Sequence, residues 1–511
     1  MVKTRLRAAA AIFIALAVAL VSPAAVTAQA AGGCDCGSAP VVFLEGIASR
    51  DIMKNPGTAG EEVIFPPTIE RIQAAISPDT ALNLAKFAVT WDWDNLAEAL
   101  IPAAEKALED FGCNPDGSVK EGTGINWSYP AIGAHDPYSE YEFRYDWRED
   151  PMDIARDLKD YIDYVCAGTG HDKVNIIGFS MGSIITMAYI QQFGYDRIAG
   201  LALSSAALNG VSCAGEPYAG SLKFDAAGIV RYVDALTGLG DEDNLIDAVM
   251  GVLAKAGVVD TVAATLNDMA DAVADRLYGE LMVKTFSTLP GMWSLIPDEY
   301  YEQAKTVMLS DTETFAGLIE RIDNYHYNVQ KRNTDLIDGV IERGLPFGVV
   351  CKYNVQGFPN GNKPANMSDF VIDTEYSSLG ATCADLDSTL GEGYTQAVDC
   401  GHNHVSPDNL IDASTCCYPE QTWFVRDFIH IDNSSAYDEI LRYILFSGKQ
   451  VTVFDSEQYP QFLQYDYETD TLSPLVKETP TQWEAFLAGN TWLAVIFRLL
   501  RAVFAAVGNR G

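Results

Sequence analysis

Apolar positions along the chain predict short strands that alternate with helices. Residues 41–44 form an apolar run that stops near a glycine, which predicts a buried strand. Asp150 and Pro151 favour a helix start, and apolar residues then recur at a spacing of three to four. Residues 173–203 predict a strand, a helix and a second strand in turn. This order predicts a mostly parallel sheet with helical crossovers.

A long helical segment interrupts the strand pattern. Residues 210–345 have the apolar spacing of amphipathic helices, and the strand pattern resumes at 347–355. We therefore predict an α/β core with an inserted helical cap. The expected parts are a first core part at 31–209, the cap at 210–345, a second core part at 346–450 and a C-terminal extension at 451–511.

The first 30 residues predict an export signal. Three basic residues, Lys3, Arg5 and Arg7, precede an apolar run at 8–21, and a small-residue cleavage site follows at 28–30. A membrane anchor is the alternative, but the apolar run is short for a membrane span. We therefore expect a secreted protein that begins near residue 31.

The cysteine content and the net charge limit the redox environment and the classes of binding partner that we expect for this protein. All ten cysteines follow the predicted signal, and an even number in an exported chain predicts several disulfides. Cys34 and Cys36 could form half of a metal site, but no second Cys or His pair at zinc-finger spacing supports one. We therefore expect neither a metal nor a cofactor. The net charge of −36 excludes nucleic acid as a partner, because a polyanion would be repelled.

A glycine-flanked serine marks the candidate nucleophile. Ser180 stands between Gly178 and Gly182, after a predicted strand and before a predicted helix. This is the setting of a nucleophile elbow, a strained turn in which side chains at the two glycine positions would collide with neighbouring elements. The backbone amides of Met181 and Ile47 are the expected oxyanion donors. The alternative is an ordinary glycine-flanked turn between a strand and a helix.

Chain order limits the choice of a catalytic base. In hydrolases with such an elbow, an acid and then a histidine follow the serine. Only His402, His404 and His430 follow both Ser180 and the predicted cap. His430 lies in an apolar run, which favours a structural role. His402 and His404 share a polar loop, and we favour His404 because an apolar residue follows it, with His402 as the alternative base.

The acid should lie between the strand at 347–355 and the histidine loop. Asp369 stands in a loop before an apolar pair and is our choice, with Asp373 and Asp399 as alternatives. For each of these carboxylates, the competing interpretation is a solvated turn residue.

Four segments together resemble a known family. They are an apolar strand at 41–46, the tetrad Tyr145-Asp146-Trp147-Arg148, the serine elbow at 178–182 and a cap segment at 287–297. In order and spacing they are similar to the lecithin:cholesterol acyltransferase and lysosomal phospholipase A family of α/β-hydrolases. The resemblance implies an α/β-hydrolase fold, a phospholipid or similar acyl ester as substrate, and a lid near the cap over an apolar acyl groove. A structural role is favoured for the tetrad, with Trp147 in the core and Arg148 paired to a local acid.

The chain departs from the family pattern at three positions. Phe179 precedes the serine where the family usually has histidine, Ser183 replaces a common glycine, and Phe370 replaces the glycine expected after the acid. No catalytic group is lost by these changes. They leave the acyl acceptor and the head-group preference open.

The C-terminal end is basic and apolar, unlike the rest of this acidic chain. Residues 492–504 contain no acidic residue and place Arg498 and Arg501 about one helical turn apart. A basic amphipathic helix suits the surface of an anionic bilayer, so residues 484–507 are a candidate for peripheral membrane contact. A helix docked on its own sheet is the alternative.

These patterns predict a secreted serine hydrolase or O-acyltransferase that acts on lipid acyl esters through a Ser-Asp-His triad and an acyl-enzyme. A non-catalytic lipid-binding or surface protein with a hydrolase fold is one alternative. A hydrolase of non-lipid esters or amides is the other, and the apolar cap and tail argue against it.

Overall fold

The computed structural model describes most of the chain between residues 37 and 477. The described residues are 37–133, 136, 139–238, 253, 257–361, 363, 365–386, 388–432 and 434–477. The expected export signal and the basic tail at 484–507 therefore lie outside them. Within these ranges, no helix is both long and apolar enough to cross a membrane.

A sheet of eight strands forms the centre of the structure, in the order β15-β14-β13-β8-β7-β6-β1-β5. Every neighbouring pair is parallel except β14 with β15. These strands are β1 (Val41–Leu44), β5 (Glu140–Phe143), β6 (Val174–Phe179), β7 (Ile198–Ser204), β8 (Phe347–Tyr353), β13 (Thr422–Arg426), β14 (Phe462–Asp466) and β15 (Thr471–Pro474).

Short strands outside the main sheet form three small ribbons. A three-stranded ribbon follows β1, and two two-stranded ribbons follow β8. Their strands are β2 (Ile52–Lys54), β3 (Glu62–Phe65), β4 (Thr123–Gly124), β9 (Val355–Gln356), β10 (Met367–Ser368), β11 (Thr382–Cys383) and β12 (Ile411–Asp412).

Helices cover the sheet and fill the long connections. They are α1 (Ile69–Ala75), α2 (Pro78–Thr90), α3 (Trp93–Ala107), α4 (Pro151–Thr169), α5 (Met181–Phe193), α6 (Ser212–Tyr218), α7 (Ala226–Gly238), α8 (Val258–Arg276), α9 (Pro290–Trp293), α10 (Asp298–Met308), α11 (Ala316–Asn328), α12 (Asn333–Glu342), α13 (Thr374–Ser377) and α14 (Ser435–Phe446). A π-helix, Leu277–Phe286, continues α8. Asp150 caps α4 through a hydrogen bond from the amide of Met152, as the sequence predicts.

The two faces of the main sheet pack against different helices. Val174 and Ile176 pack with α4 and α5 in the larger apolar cluster, whereas Ile177, between them and the next turn, packs with α14 in a second cluster. Successive residues of a strand point to opposite faces, so a continuous apolar run such as that of β6 fits a sheet buried on both sides. The carboxyl ends of the parallel strands all meet at one edge, where the candidate site lies.

The chain segment between β7 and β8 is helical in its described part, as the apolar spacing predicts. The expected core boundary at residue 450 is too early, because β14 and β15 extend the main sheet to Pro474. The reason is physical: β14 adds to β13 in parallel register, which buries an edge that would otherwise remain open.

The expectation of several disulfides finds no support in the described residues. All eight cysteines there are unpaired. Cys113, Cys166, Cys351 and Cys416 are buried and pack as small apolar side chains. Cys34 and Cys36 lie outside the described part of the chain.

Candidate active site

Ser180 occupies the sharp turn between β6 and α5. Its backbone has φ 53 and ψ −123, a conformation that side chains rarely adopt. A Cβ on Gly182 would lie 2.3 Å from the carbonyl oxygen of Leu44, and one on Gly178 would lie 2.9 Å from the Cα of Ser183. Glycine is therefore required on both sides of the serine, and the turn has the geometry expected of an elbow.

The loop after β1 approaches the serine closely. A Cβ on Gly46 would lie 3.0 Å from the Cβ of Ser180 and 3.3 Å from its Oγ. Tyr145 Oη donates a 2.6 Å hydrogen bond to the carbonyl of Glu45, and Arg50 pairs with the Glu45 carboxylate at 2.5 Å. These contacts hold the backbone that leads into Ile47 beside the serine.

Asp369 and His430 form a buried pair at the same edge of the sheet. Asp369 Oδ2 lies 2.7 Å from His430 Nδ1, and the His430 amide donates a 2.7 Å hydrogen bond to the Asp369 carbonyl. The amides of Val371 and Ile372 donate to Asp369 Oδ1. Burial acts to raise the pKa of this carboxyl, but His430, the Ile372 amide and Lys352 outweigh it, so the pKa is lowered.

His430 also lies beside the elbow. Its ring packs against the ring of Phe179, the residue before Ser180, with 4.9 Å between the ring centroids. A carboxylate can only accept, so Nδ1 of His430 carries the proton that it shares with Asp369. In the neutral imidazole, Nε2 is then the nitrogen with the lone pair, and this tautomer is the one that a general base requires.

Contrary to our choice of His404 as the base, the structure brings His430, and not His404, to Asp369 and to the elbow. His404 Nδ1 lies 2.7 Å from Oε1 of Gln461, whose side-chain amide donates to the carbonyl of Thr422. Thr422 begins β13, whereas His430 follows the end of that strand. His404 therefore lies at the amino edge of the parallel sheet, opposite the edge that carries the serine.

The alternatives to these residues also lie elsewhere. His402 is exposed and shares the loop of His404, with its ring 4.4 Å from that of Phe454. Asp373 accepts hydrogen bonds from the amide and hydroxyl of Ser212, and Asp399 is an exposed turn residue. Asp369 alone among the three candidate acids contacts a histidine in the described structure.

A buried lysine that the sequence analysis missed, Lys352, supports the loop that carries His430. Lys352 is 1% exposed, and its Nζ donates to the carbonyls of Ile429, His430 and Asp432 at 3.0–3.1 Å. Burial lowers its pKa to about 8, against the opposing charge of Asp369. A lysine inside the apolar run of β8 was the available signal, because a lysine is rarely buried in a strand unless specific partners compensate its charge.

The residues that depart from the family pattern make specific contacts here. Phe370 has φ 93, a left-handed conformation that favours glycine, and its ring stacks on Tyr232 of α7 at 4.4 Å. Ser183 Oγ donates to the carbonyl of Ser180 and accepts from the amide of Ala207. Each replacement thus adds a contact next to the serine, the acid or the helical segment.

The tetrad Tyr145–Arg148 and the segment at 287–297 pack against each other. Arg148 is fully buried and pairs with Asp146 at 2.6 Å, and Trp147 lies in the core. Gly291 fits directly against this turn, since its Cβ would lie 1.9 Å from the Trp147 carbonyl oxygen and 3.0 Å from Met181 Cε. The tetrad therefore links the core to the segment at 287–297 and to the residue after the serine.

Comparison with known proteins gives one family match. A protein-family model described as alpha/beta hydrolase fold matches residues 123–219, which include the elbow. No curated protein matches the chain significantly. Among solved structures, "The crystal structure of Tle4-Tli4 complex" is similar at 15% identity and a TM-score of 0.20, over 36% of this chain and 48% of that one. The chain thus spans about half of that structure.

Proposed function

We propose that this chain, which has an α/β-hydrolase fold, is a serine hydrolase or O-acyltransferase acting on lipid acyl esters. One observation carries the enzymatic part: Asp369 and His430 are paired at 2.7 Å beside an elbow that bears Ser180. Three groups from three strand ends thus converge at one edge of the sheet. Convergence of a nucleophile, a base and an acid is the arrangement that acyl transfer needs.

The proposed reaction begins at the serine hydroxyl. Ser180 Oγ attacks the ester carbonyl carbon while His430 Nε2 takes the hydroxyl proton. Asp369 holds the imidazole in the tautomer with Nδ1 protonated and stabilises the imidazolium that forms. His430 then gives the proton to the departing alcohol, which leaves an acyl group on Ser180.

Two backbone amides serve as oxyanion donors in this proposal. Met181 begins α5 directly after the serine, and Ile47 follows the glycine that lies against Ser180. Donors aimed at the developing oxyanion stabilise the transition state more than the ground state. In the second half of the reaction, water or a lipid alcohol takes the acyl group from Ser180.

The lipid part of the proposal rests on resemblance and on the cap. The tetrad Tyr145–Arg148 and the segment at 287–297 are the motifs that resemble the lecithin:cholesterol acyltransferase and lysosomal phospholipase A family. Their mutual contact beside Met181 supports a shared role in shaping the substrate site. We also propose export of the chain and peripheral membrane contact through residues 484–507, on the sequence patterns given above.

Labelling with a fluorophosphonate probe tests the enzymatic part. The folded protein should form one adduct at Ser180, and Ser180→Ala should abolish both the adduct and turnover of a short-chain ester. Absence of the adduct in folded wild-type protein would favour a non-catalytic lipid-binding protein instead.

Product analysis tests the lipid part. After incubation with mixed phospholipids and a sterol, mass spectrometry should show a free fatty acid or an acylated alcohol that Ser180→Ala does not produce. A Ser180 adduct without any lipid product would instead favour a hydrolase of non-lipid esters or amides.

A further inference from the structure

Three potential metal ligands meet in the loop that precedes β12. Cys400, His402 and His404 each offer a ligand atom, and these atoms all lie within 4.8 Å of one another. Cys400 and His402 are exposed, whereas His404 is buried. In a tetrahedral Zn²⁺ site the ligand atoms are about 3.3–3.8 Å apart, so only small side-chain movements separate this cluster from coordination.

His404 has an unsatisfied nitrogen that points to a ligand. Gln461 Nε2 donates to the carbonyls of Pro419 and Thr422, which leaves Gln461 Oε1 to accept from His404 Nδ1 at 2.7 Å. His404 Nε2 is therefore the unprotonated nitrogen, and it is buried without a hydrogen-bond partner. A metal-binding histidine typically has this arrangement, with one nitrogen held by a carbonyl and the other free for the ion.

Hydrogen bonds within the loop hold the three candidate ligands close together. The Gln396 side chain donates to the carbonyls of Val398 and His402 and accepts from the amide of His404, at 2.8–2.9 Å. Gly401 has φ 83, which a turn between the cysteine and the histidines uses. The ligands are thus held together before any ion binds, which lowers the entropic cost of binding.

We propose that Cys400, His402 and His404 bind a Zn²⁺-type cation through one thiolate and two imidazoles. Binding removes the thiol proton of Cys400 and releases it to solvent. Glu420 Oε1 lies 3.7 Å from His402 Nδ1, so its carboxylate can complete a four-coordinate site. The site stabilises the loop against the start of β13, at the edge of the sheet opposite Ser180, and takes no part in the acyl transfer proposed above.

Zinc binding to the full chain tests this proposal. Chelator-treated protein should bind one Zn²⁺ per chain in calorimetric titration, and zinc should raise its melting temperature by at least about 2 °C. Cys400→Ser should weaken the affinity by at least about 100-fold. Cys417→Ser, at another exposed unpaired cysteine, should stay within about threefold of wild type.

Cobalt gives a second readout that reports on the thiolate directly. Co²⁺ in this site should show a thiolate charge-transfer band that Cys400→Ser loses and Cys417→Ser keeps. His402→Ala, at an exposed position, provides a further variant should Cys400→Ser fold poorly, and it should lower zinc affinity similarly. The proposal is wrong if zinc binds equally to wild type and to the folded variants, or if Cys400 of the native protein is found in a disulfide.

Discussion

At the scale of single residues, the backbone of the candidate site is strained at the proposed nucleophile, Ser180. Ser180 and Phe370 both have positive φ, and each such residue costs about 1–3 kcal/mol. Among the described non-glycine residues with positive φ, these two are the proposed nucleophile and the neighbour of the proposed acid. Close packing at Gly178 and Gly182, and the stacking of Phe370 on Tyr232, hold these conformations in place.

The identity of the base is testable by substitution of two histidines. His430→Ala should lower kcat on a soluble short-chain ester by at least about 10³-fold, because the proton of Ser180 loses its acceptor. His404→Ala should retain at least about a hundredfold more activity than His430→Ala. Steady-state kinetics on proteins with native circular dichroism checks this, and the reverse order of the two variants would restore His404 as the base.

Lys352 is a positioning residue for His430 in this interpretation. Lys352→Met keeps most of the length of the side chain but leaves the carbonyls of Ile429, His430 and Asp432 without their donor. We expect kcat to fall about tenfold or more, with a smaller change in KM, because the loop no longer holds the imidazole in place. Lys363→Met, at an exposed lysine, is the matched control. A folded Lys352→Met protein with wild-type kcat would show that the lysine only fills the core.

At the scale of elements, the helical segment between β7 and β8 is fastened to the core at the elbow. The short helix α9 lies against the tetrad turn, where the Gly291 amide donates to the Arg148 carbonyl at 3.1 Å. Trp293 in the same helix is buried and donates to the carbonyl of Ser287. Movement of this segment would therefore reach Met181, whose amide is a proposed oxyanion donor.

Substitution of Gly291 tests that connection. Gly291→Ala places a methyl group 1.9 Å from the Trp147 carbonyl, so we expect a loss of at least about 1–3 kcal/mol in the free energy of unfolding. Turnover of a soluble ester should also fall, because Met181 must shift. Gly279→Ala is the control within the π-helix, since nothing lies within 4 Å of its Cβ position. Urea unfolding and steady-state kinetics measure both effects. Equal stability of the two variants would contradict the prediction, because it would mean that α9 can move away from the tetrad at no cost in free energy.

At the scale of the whole molecule, charge decides which surfaces the protein approaches. The chain has 34 basic and 70 acidic residues, so its body repels anionic surfaces over about 8–10 Å at physiological ionic strength. The segment with Arg498 and Arg501 opposes this trend. A protein that works on an anionic bilayer would need such a segment to approach the lipid.

Truncation of the tail tests the proposed membrane contact. Removal of residues 484–511 should lower activity on anionic lipid vesicles while it spares a soluble short-chain ester. Replacement of Arg498 and Arg501 by Gln in the full chain should lower vesicle activity in the same way, and added salt should shrink the difference. Equal loss on both substrates would instead favour a helix docked on the core.

Much of the fold was predictable because its signals are local. The apolar runs of β6, β7 and β8, the cap of α4 and the elbow glycines depend on residues close in sequence, so their elements were found. The two late strands, β14 and β15, were missed. They pair with each other and with β13, and that pairing is not visible in either short segment alone.

The sequence by itself determined the strained turn at Ser180 and the choice of Ser180 and Asp369 as candidate nucleophile and acid, because each follows from neighbouring residues and chain order. Only the tertiary structure placed His430 beside Asp369 and revealed Lys352, since both depend on which loops meet at the carboxyl edge of the sheet. His430 looked like a core residue because apolar neighbours surround it in sequence. Those neighbours bury the loop, and the loop brings the imidazole to Asp369.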